Sequence, residues 1–93
     1  MIKSFKCKKT KKIFEQTIIK KFPSEIQERA LNKLEMINTA KTVDDLRIPP
    51  SNHLEQLTGD RKGQYSIRVN NKYRICFEWT RGSAENVELV DYH

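Results

Sequence analysis

The sequence holds only two cysteines, Cys7 and Cys76, too few for a disulfide framework and without the paired spacing of a metal site. Histidine is as scarce, with His53 and His93 alone, so no structural zinc site and no other cofactor is expected. No apolar run approaches the roughly 20 residues that a membrane span needs. The opening Met1-Ile2-Lys3-Ser4-Phe5-Lys6 carries basic residues but no apolar core or cleavage site of a secretion signal. The cytoplasm is therefore the expected compartment, with both thiols reduced. Three glycines and three prolines punctuate the chain, and no linker, repeat or low-complexity segment is visible. The 93 residues are expected to form one domain with a single modest core.

Acidic residues are missing from one place in particular. Residues 1–21 contain eight lysines against the single acid Glu15, a net +7, whereas residues 22–93 carry ten basic and eleven acidic side chains, a net −1. The overall +6 is thus a local lysine patch. Such a patch attracts phosphate backbones without reading sequence, in a salt-dependent way; a solvated lysine-rich helix face is the plainer alternative.

What is abundant is alternation. After the turn Gly59-Asp60-Arg61-Lys62-Gly63, the apolar residues Tyr65, Ile67 and Val69 fall at every second position. Beyond Asn70-Asn71-Lys72 the pattern resumes with Tyr73, Ile75, Phe77 and Trp79. Period-two patterning on both sides of a polar break predicts a β-hairpin with one buried face. A three-residue loop, Asn70 to Lys72, pairs Val69 with Tyr73, Ile67 with Ile75 and Arg68 with Arg74, and keeps the apolar residues together; a one-residue slip would mix the faces. Such loops usually need a left-handed residue near their end, which asparagine tolerates. Arg68 and Arg74 then become cross-strand neighbours, an arrangement that destabilises unless both are solvated or an acidic group lies between them.

Elsewhere Ile2 to Phe5 reads as a short first strand. Ile13, Phe14 and Ile18 give a helical stripe from about Thr10, a possible N-cap, to Lys21. Pro23 ends that helix. Ser24-Glu25-Ile26-Gln27 fits a capping box opening a second helix to about Ala40, with Ile26, Ala30, Leu31, Leu34 and Ile37 buried. Thr42 to Asp45 starts a short turn, Pro49-Pro50-Ser51-Asn52 reads as loop, and Leu54 and Leu57 mark a brief edge strand. Arg81-Gly82-Ser83 makes a turn before a last strand, Asn86 to Tyr92. Two amphipathic helices on one face of such a sheet make an α+β arrangement with the other face open. Arg68 and Arg74 are expected to project from that open face, where arginine's planar fork suits phosphate. The chain ends Asp91-Tyr92-His93, an acid, a phenol and an imidazole that can serve proton transfer or stacking, or simply fray.

The run from Leu54 to Asn70, with its Gly-Asp-x-x-Gly turn, the following Tyr73-Arg74-Ile75 and the terminal Asp91-Tyr92-His93 resemble the HigB toxins of the RelE/ParE superfamily. These are the toxin halves of bacterial type II toxin–antitoxin pairs, or plasmid-maintenance killer proteins. The opening Met1 to Phe5 and the helix end at Ala40-Lys41 match as well, so the resemblance covers essentially the whole chain. It implies a RelE-like α+β domain, an N-terminal strand and two helices packed on one face of a mainly antiparallel sheet. It also implies a ribosome-dependent endoribonuclease that cuts translated mRNA in the A site by metal-independent attack of the ribose 2′-OH. By this resemblance Arg74 binds the scissile phosphate with Arg68 beside it, His93 exchanges a proton, Tyr92 stacks on or orients a base, and Asp91 orients its neighbours or assists as a base. Lys8, Lys9, Lys11 and Lys12 are candidates for ribosomal RNA contact. The implied partner is a helix-turn-helix antitoxin of the HigA type, through which alone the pair reaches operator DNA.

The sequence departs from the family at one point. Where some members carry His-Pro-Leu-Lys before the Gly-Asp turn, with catalytic His and Lys, Glu55 and Thr58 stand here. The match is instead to a branch with Asn-x-Leu-Glu, here Asn52-His53-Leu54-Glu55. Glu55 is the expected replacement for the histidine as base, and Arg61 or Lys62 for the lysine's charge, while His53 is expected at the surface. Two other readings compete: a non-enzymatic ParE-like poison of DNA gyrase, and a nucleic-acid-binding module without cleavage.

Overall fold

The computed structural model describes residues 1–17, 20 and 22–91. Among them run helix α1 (Lys8–Phe14), helix α2 (Ser24–Thr39), then strands β1 (Glu55–Gln56), β2 (Gln64–Arg68), β3 (Tyr73–Thr80) and β4 (Ser83–Asp91). The strands lie in chain order and pair antiparallel throughout. Beyond β4 the N-terminal segment adds parallel bridges, Ile2 to Ala84 and Phe5 to Val87, with Lys3 N–H donating to the Ala84 carbonyl at 2.8 Å. This covers the outer edge of β4, which would otherwise offer an unpaired ladder.

The hairpin register is the one that the alternation requires. Ile67 faces Ile75 and Arg68 faces Arg74, and Val69 N–H donates to the Tyr73 carbonyl at 2.9 Å. The turn works differently from expectation: none of Asn70, Asn71 and Lys72 is left-handed. Instead the Asn70 Oδ1 accepts the N–H groups of Lys72 at 2.9 Å and Tyr73 at 2.7 Å. Its side chain closes the turn from within, a local bond that short polar residues offer. The β3–β4 turn does use left-handed backbone, with Arg81 at φ 53° and Gly82 at φ 79°. Two such residues in a row match the right-handed strand twist.

Ile67, Ile75, Phe77 and Val87 meet Ile13, Ala30, Leu34 and Ile37 in one buried cluster, so both helices cover the same sheet face. Each of the larger side chains contributes about 1.5–3 kcal/mol by leaving water. In β4 the buried apolar positions are Ala84, Val87 and Leu89, a spacing of three and then two. A bulge opposite Cys76 to Glu78 accounts for it. Asn86 is left-handed there, at φ 52°, and the extra residue lets both halves of the strand face the core.

Three local expectations are corrected. α1 is shorter than the stripe suggested, beginning at Lys8 and ending at Phe14. Thr10 is not its cap: it is buried within the helix, and its hydroxyl accepts Leu89 N–H at 2.9 Å. At α2 the N-cap is Pro23, and Ser24 makes no capping bond. Gln27 still reaches back, donating to the Phe22 carbonyl at 2.6 Å. The capping pattern falls later, where Asp45 accepts the N–H groups of Lys41 and Thr42 ahead of the 3-10 turn Val43–Arg47. Ile18 and Lys21 lie outside the described residues.

Candidate active site

Arg74 stands on the face of β3 away from the helices, but it does not project into solvent as alternation alone implied. It is 9% exposed and lies sideways across β2. Its Nε donates to Ser66 Oγ at 2.8 Å and an Nη to the His53 carbonyl at 2.5 Å. The other Nη is 3.8 Å from Glu55 Oε1. Three different elements therefore aim one guanidinium: Ser66 from β2, Glu55 from β1 and the His53 carbonyl from the turn between them and α2. His53 itself sits in the left-handed region at φ 44°, closing the 3-10 turn Pro50–Asn52. A cation so buried needs such partners to offset its desolvation.

Arg68, its cross-strand neighbour, turns the other way and donates to the Asn71 side chain. The like-charge clash expected from the register is relieved by this divergence and by Glu55, which is the acidic group near the pair. Between the two arginines lies an open cavity of about 330 Å³ lined by His53, Glu55, Arg68, Asn70, Asn71 and Arg74. His53, although exposed as expected, thus belongs to the rim of the site. Its floor is cationic and fixed, its wall is a carboxylate, and its mouth faces water. Such an arrangement can hold a phosphodiester, with Glu55 poised beside it to take a proton.

The other expected residues are placed less uniformly. Asp91 pairs with Tyr73 in the ladder, one position from the Arg74–Val90 pair, and so lies on the opposite sheet face. It forms an ion pair with Lys72 at 3.7 Å. Arg61 is on the open face but donates to Glu88 Oε1 at 2.8 Å and to Gln64 at 3.1 Å. That bridge covers Cys76, whose thiol burial pushes up from its usual range. Neither Arg61 nor the exposed Lys62 lines the cavity around Arg74, so the missing lysine charge is not supplied there by either. Lys8, Lys9, Lys11 and Lys12 belong to α1 in the helix layer and do not line it either. Tyr92 and His93 lie outside the described residues. Among the described residues, no group of three His, Cys, Asp or Glu side chains comes together in a way that would hold a metal ion, and no helix is long and apolar enough to cross a membrane.

Residues 3–93 match the family model described as a RelE-like toxin of the type II toxin–antitoxin system HigB. The chain belongs to the HigB family of RelE-like toxins. It is 48% identical over 67 residues to Toxin HigB-1 of Vibrio cholerae, covering 72% of this chain and 70% of that one. To the Endoribonuclease HigB of Proteus vulgaris it is 37% identical over 93 residues, the whole of both chains. The solved YoeB–YefM complex of Staphylococcus aureus includes a chain that superposes with a TM-score of 0.63, over 100% of this chain and 98% of that chain, at 16% identity; this likeness shows the fold. In this HigB-family toxin, Ser66 and the His53 carbonyl are parts of the site that sequence reading missed. The register offered a signal for Ser66, a small polar residue two positions from Arg68 on the arginine-bearing face.

Proposed function

We propose that this toxin is an endoribonuclease that cuts mRNA in the A site of the translating ribosome, residues 1–93 working as one cytoplasmic domain. The reading rests most on one observation: a buried guanidinium, fixed at 2.8 Å by Ser66, forms the floor of an open groove that Arg68 and Glu55 share. The Proteus vulgaris relative's name, an endoribonuclease, supports the same reading. In the reaction, the 2′-oxygen forms a bond to the adjacent phosphorus as the bond from phosphorus to the 5′-oxygen breaks. Glu55 takes the proton of the 2′-OH. His93 returns one to the leaving 5′-oxygen, and Tyr92 stacks on a neighbouring base. Arg74 and Arg68 hold the phosphate and neutralise the charge that grows on its oxygens, the larger share of such catalysis. Asp91 acts on the opposite face, holding the end of β4 through Lys72. The lysines of α1 meet ribosomal RNA. A helix-turn-helix antitoxin of the HigA type neutralises the toxin and carries the pair to operator DNA.

The test is primer extension on a reporter mRNA in a translating extract, with wild type beside Arg74→Ala and a chain lacking His93. Cuts within codons that require active ribosomes and vanish in both variants are expected. Intact mRNA with growth still arrested would refute the nuclease and point to gyrase, which the family's endoribonuclease relative does not favour. RNA binding without any cleavage would leave only a binding module.

A further inference from the structure

Beside the cavity around Arg74 lies a second, larger one of about 390 Å³. It shares Arg68, Asn70 and Asn71 with the first and adds Arg29, Lys33 and Ser51. The two form one continuous groove running from β1 past the hairpin tip to helix α2. No carboxylate lines this second part. The part around Arg74 differs in this, since Glu55 lines it and stands 3.8 Å from the Arg74 guanidinium. Among the described residues, Arg29, Lys33 and Arg68 have no carboxylate partner. Lys33 is held instead by a neutral amide: its Nζ donates to Asn52 Oδ1 at 2.5 Å. Asn52 is fully buried and anchored in turn, its Nδ2 donating to the Leu46 carbonyl at 3.1 Å. Burial and then the neighbouring Arg29 charge hold the Lys33 ammonium below its usual range. Arg29 and Lys33 are one helical turn apart on α2, so both point the same way. A fold that aims three cations into one groove and gives none of them a counter-charge among the described residues has left that charge to a ligand.

We infer that Arg29, Lys33 and Arg68 form a subsite for the next phosphates of the substrate strand, the mRNA backbone beyond the phosphate that Arg74 holds. This rests on the nuclease reading above. Arg68 serves both parts of the groove, so the strand leaves the scissile position over the hairpin tip and crosses onto α2. Ser51, Asn70 and Asn71 offer neutral hydrogen bonds to ribose and phosphate along the way. Contacts of this kind position a strand and carry no sequence information. Arg29 and Lys33 therefore set how tightly mRNA is held and not which codon is cut.

The experiment measures cleavage and binding with ribosomes programmed with mRNA and with vacant ribosomes, for full-length wild type, Arg29→Gln, Arg29→Gln/Lys33→Gln and Lys33→Arg. Arg29 makes no side-chain bond among the described residues that its loss would break, so Arg29→Gln remains informative if the double variant fails to fold. The expected result is a rise in KM of roughly tenfold for each charge removed, as loss of a charge-assisted bond to phosphate implies. The maximal single-turnover rate and the cut positions stay unchanged. Lys33→Arg, which keeps the charge but not the fit to Asn52, raises KM by less than the roughly tenfold of a removed charge. The salt dependence of binding to programmed ribosomes should flatten by about 0.7 for each phosphate of a single strand that is no longer neutralised. Wild-type KM and salt slope in Arg29→Gln and in a folded double variant would overturn the subsite. Equal weakening on vacant ribosomes would overturn it too, assigning the groove to ribosomal RNA. A wild-type protein that cuts no mRNA is a different failure, that of the nuclease itself.

Discussion

The hydroxyl of Ser66 accepts the Nε–H of Arg74 at 2.8 Å, from the adjacent strand and on the same sheet face. The bond turns a side chain that alternation would have sent into solvent into a fixed floor. Replacing Ser66 by Ala leaves Arg74 its bond to the His53 carbonyl and costs stability about 1–3 kcal/mol. It frees the guanidinium to rotate away from the cavity. Single-turnover cleavage by Ser66→Ala should therefore slow by on the order of tenfold or more with KM little changed, since misplacement of a positioned group acts on the chemical step. Ser66→Thr, which keeps the hydroxyl, should recover most of the rate.

Arg68 carries the opposite balance. Its cross-strand neighbour is another arginine, and its own partner is a neutral amide. With the like-charge clash already relieved, Arg68→Gln removes only an exposed bond to Asn71 and leaves stability nearly unchanged. The urea midpoint should hold while cleavage falls by on the order of tenfold. A loss of stability beyond about 1 kcal/mol would mark Arg68 as a structural brace instead.

Asn52 links the groove to the core. Ala in its place orphans the Leu46 carbonyl and Lys33 together, and unsatisfied buried polar groups cost about 1–3 kcal/mol. Urea unfolding of Asn52→Ala should show a lower midpoint with an unchanged slope. The same variant should raise KM for programmed ribosomes, because Lys33 loses the group that aims it.

Asp45 gives the fold an acid-sensitive joint. Hydrogen bonds from the Thr42 and then the Lys41 backbone hold its carboxyl below the usual carboxylate range. A carboxylate with a depressed folded pKa stabilises at pH values above its unfolded value, about 3.9. The contribution disappears as pH falls through the folded value. Thermal melts should separate wild type from Asp45→Asn at neutral pH, and the gap should close below about pH 4. A gap that does not change with pH would show that the charge is irrelevant and that packing alone separates the two.

Much of this was legible in the sequence where a pattern repeats. The hairpin register, the shared face of Arg68 and Arg74 and the α2 stripe of Ala30, Leu34 and Ile37 follow from periodicity, which a buried face enforces over several residues at once. What was not legible depended on single side chains reaching across the chain. Alternation assigns Arg74 to a face but cannot say that it bends onto Ser66. Propensity offers Thr10 as a cap, while a partner 79 residues away, Leu89 N–H, takes its hydroxyl for tertiary packing. Arg29 and Lys33 went unremarked because nothing local in the sequence shows that they line a groove with the hairpin-tip residues Asn70 and Asn71. Asp91 was read by its neighbours in sequence, and strand parity put it on the other face.

The bond from Thr10 to Leu89 and the bridges from Ile2 and Phe5 to β4 also govern the order in which the molecule is completed. Residues 2–10 leave the ribosome long before residues 84–89 exist, and their partners are the last of the sheet to be synthesised. Contacts so distant in sequence form late, because the intervening loop must close first. Until β4 arrives, β3 is a bare edge and Arg74 has a neighbouring strand on one side alone. A nascent chain thus carries every residue that lines its groove before the strand bearing Arg74 is supported on both sides. The architecture delays the finished sheet until synthesis has passed Leu89.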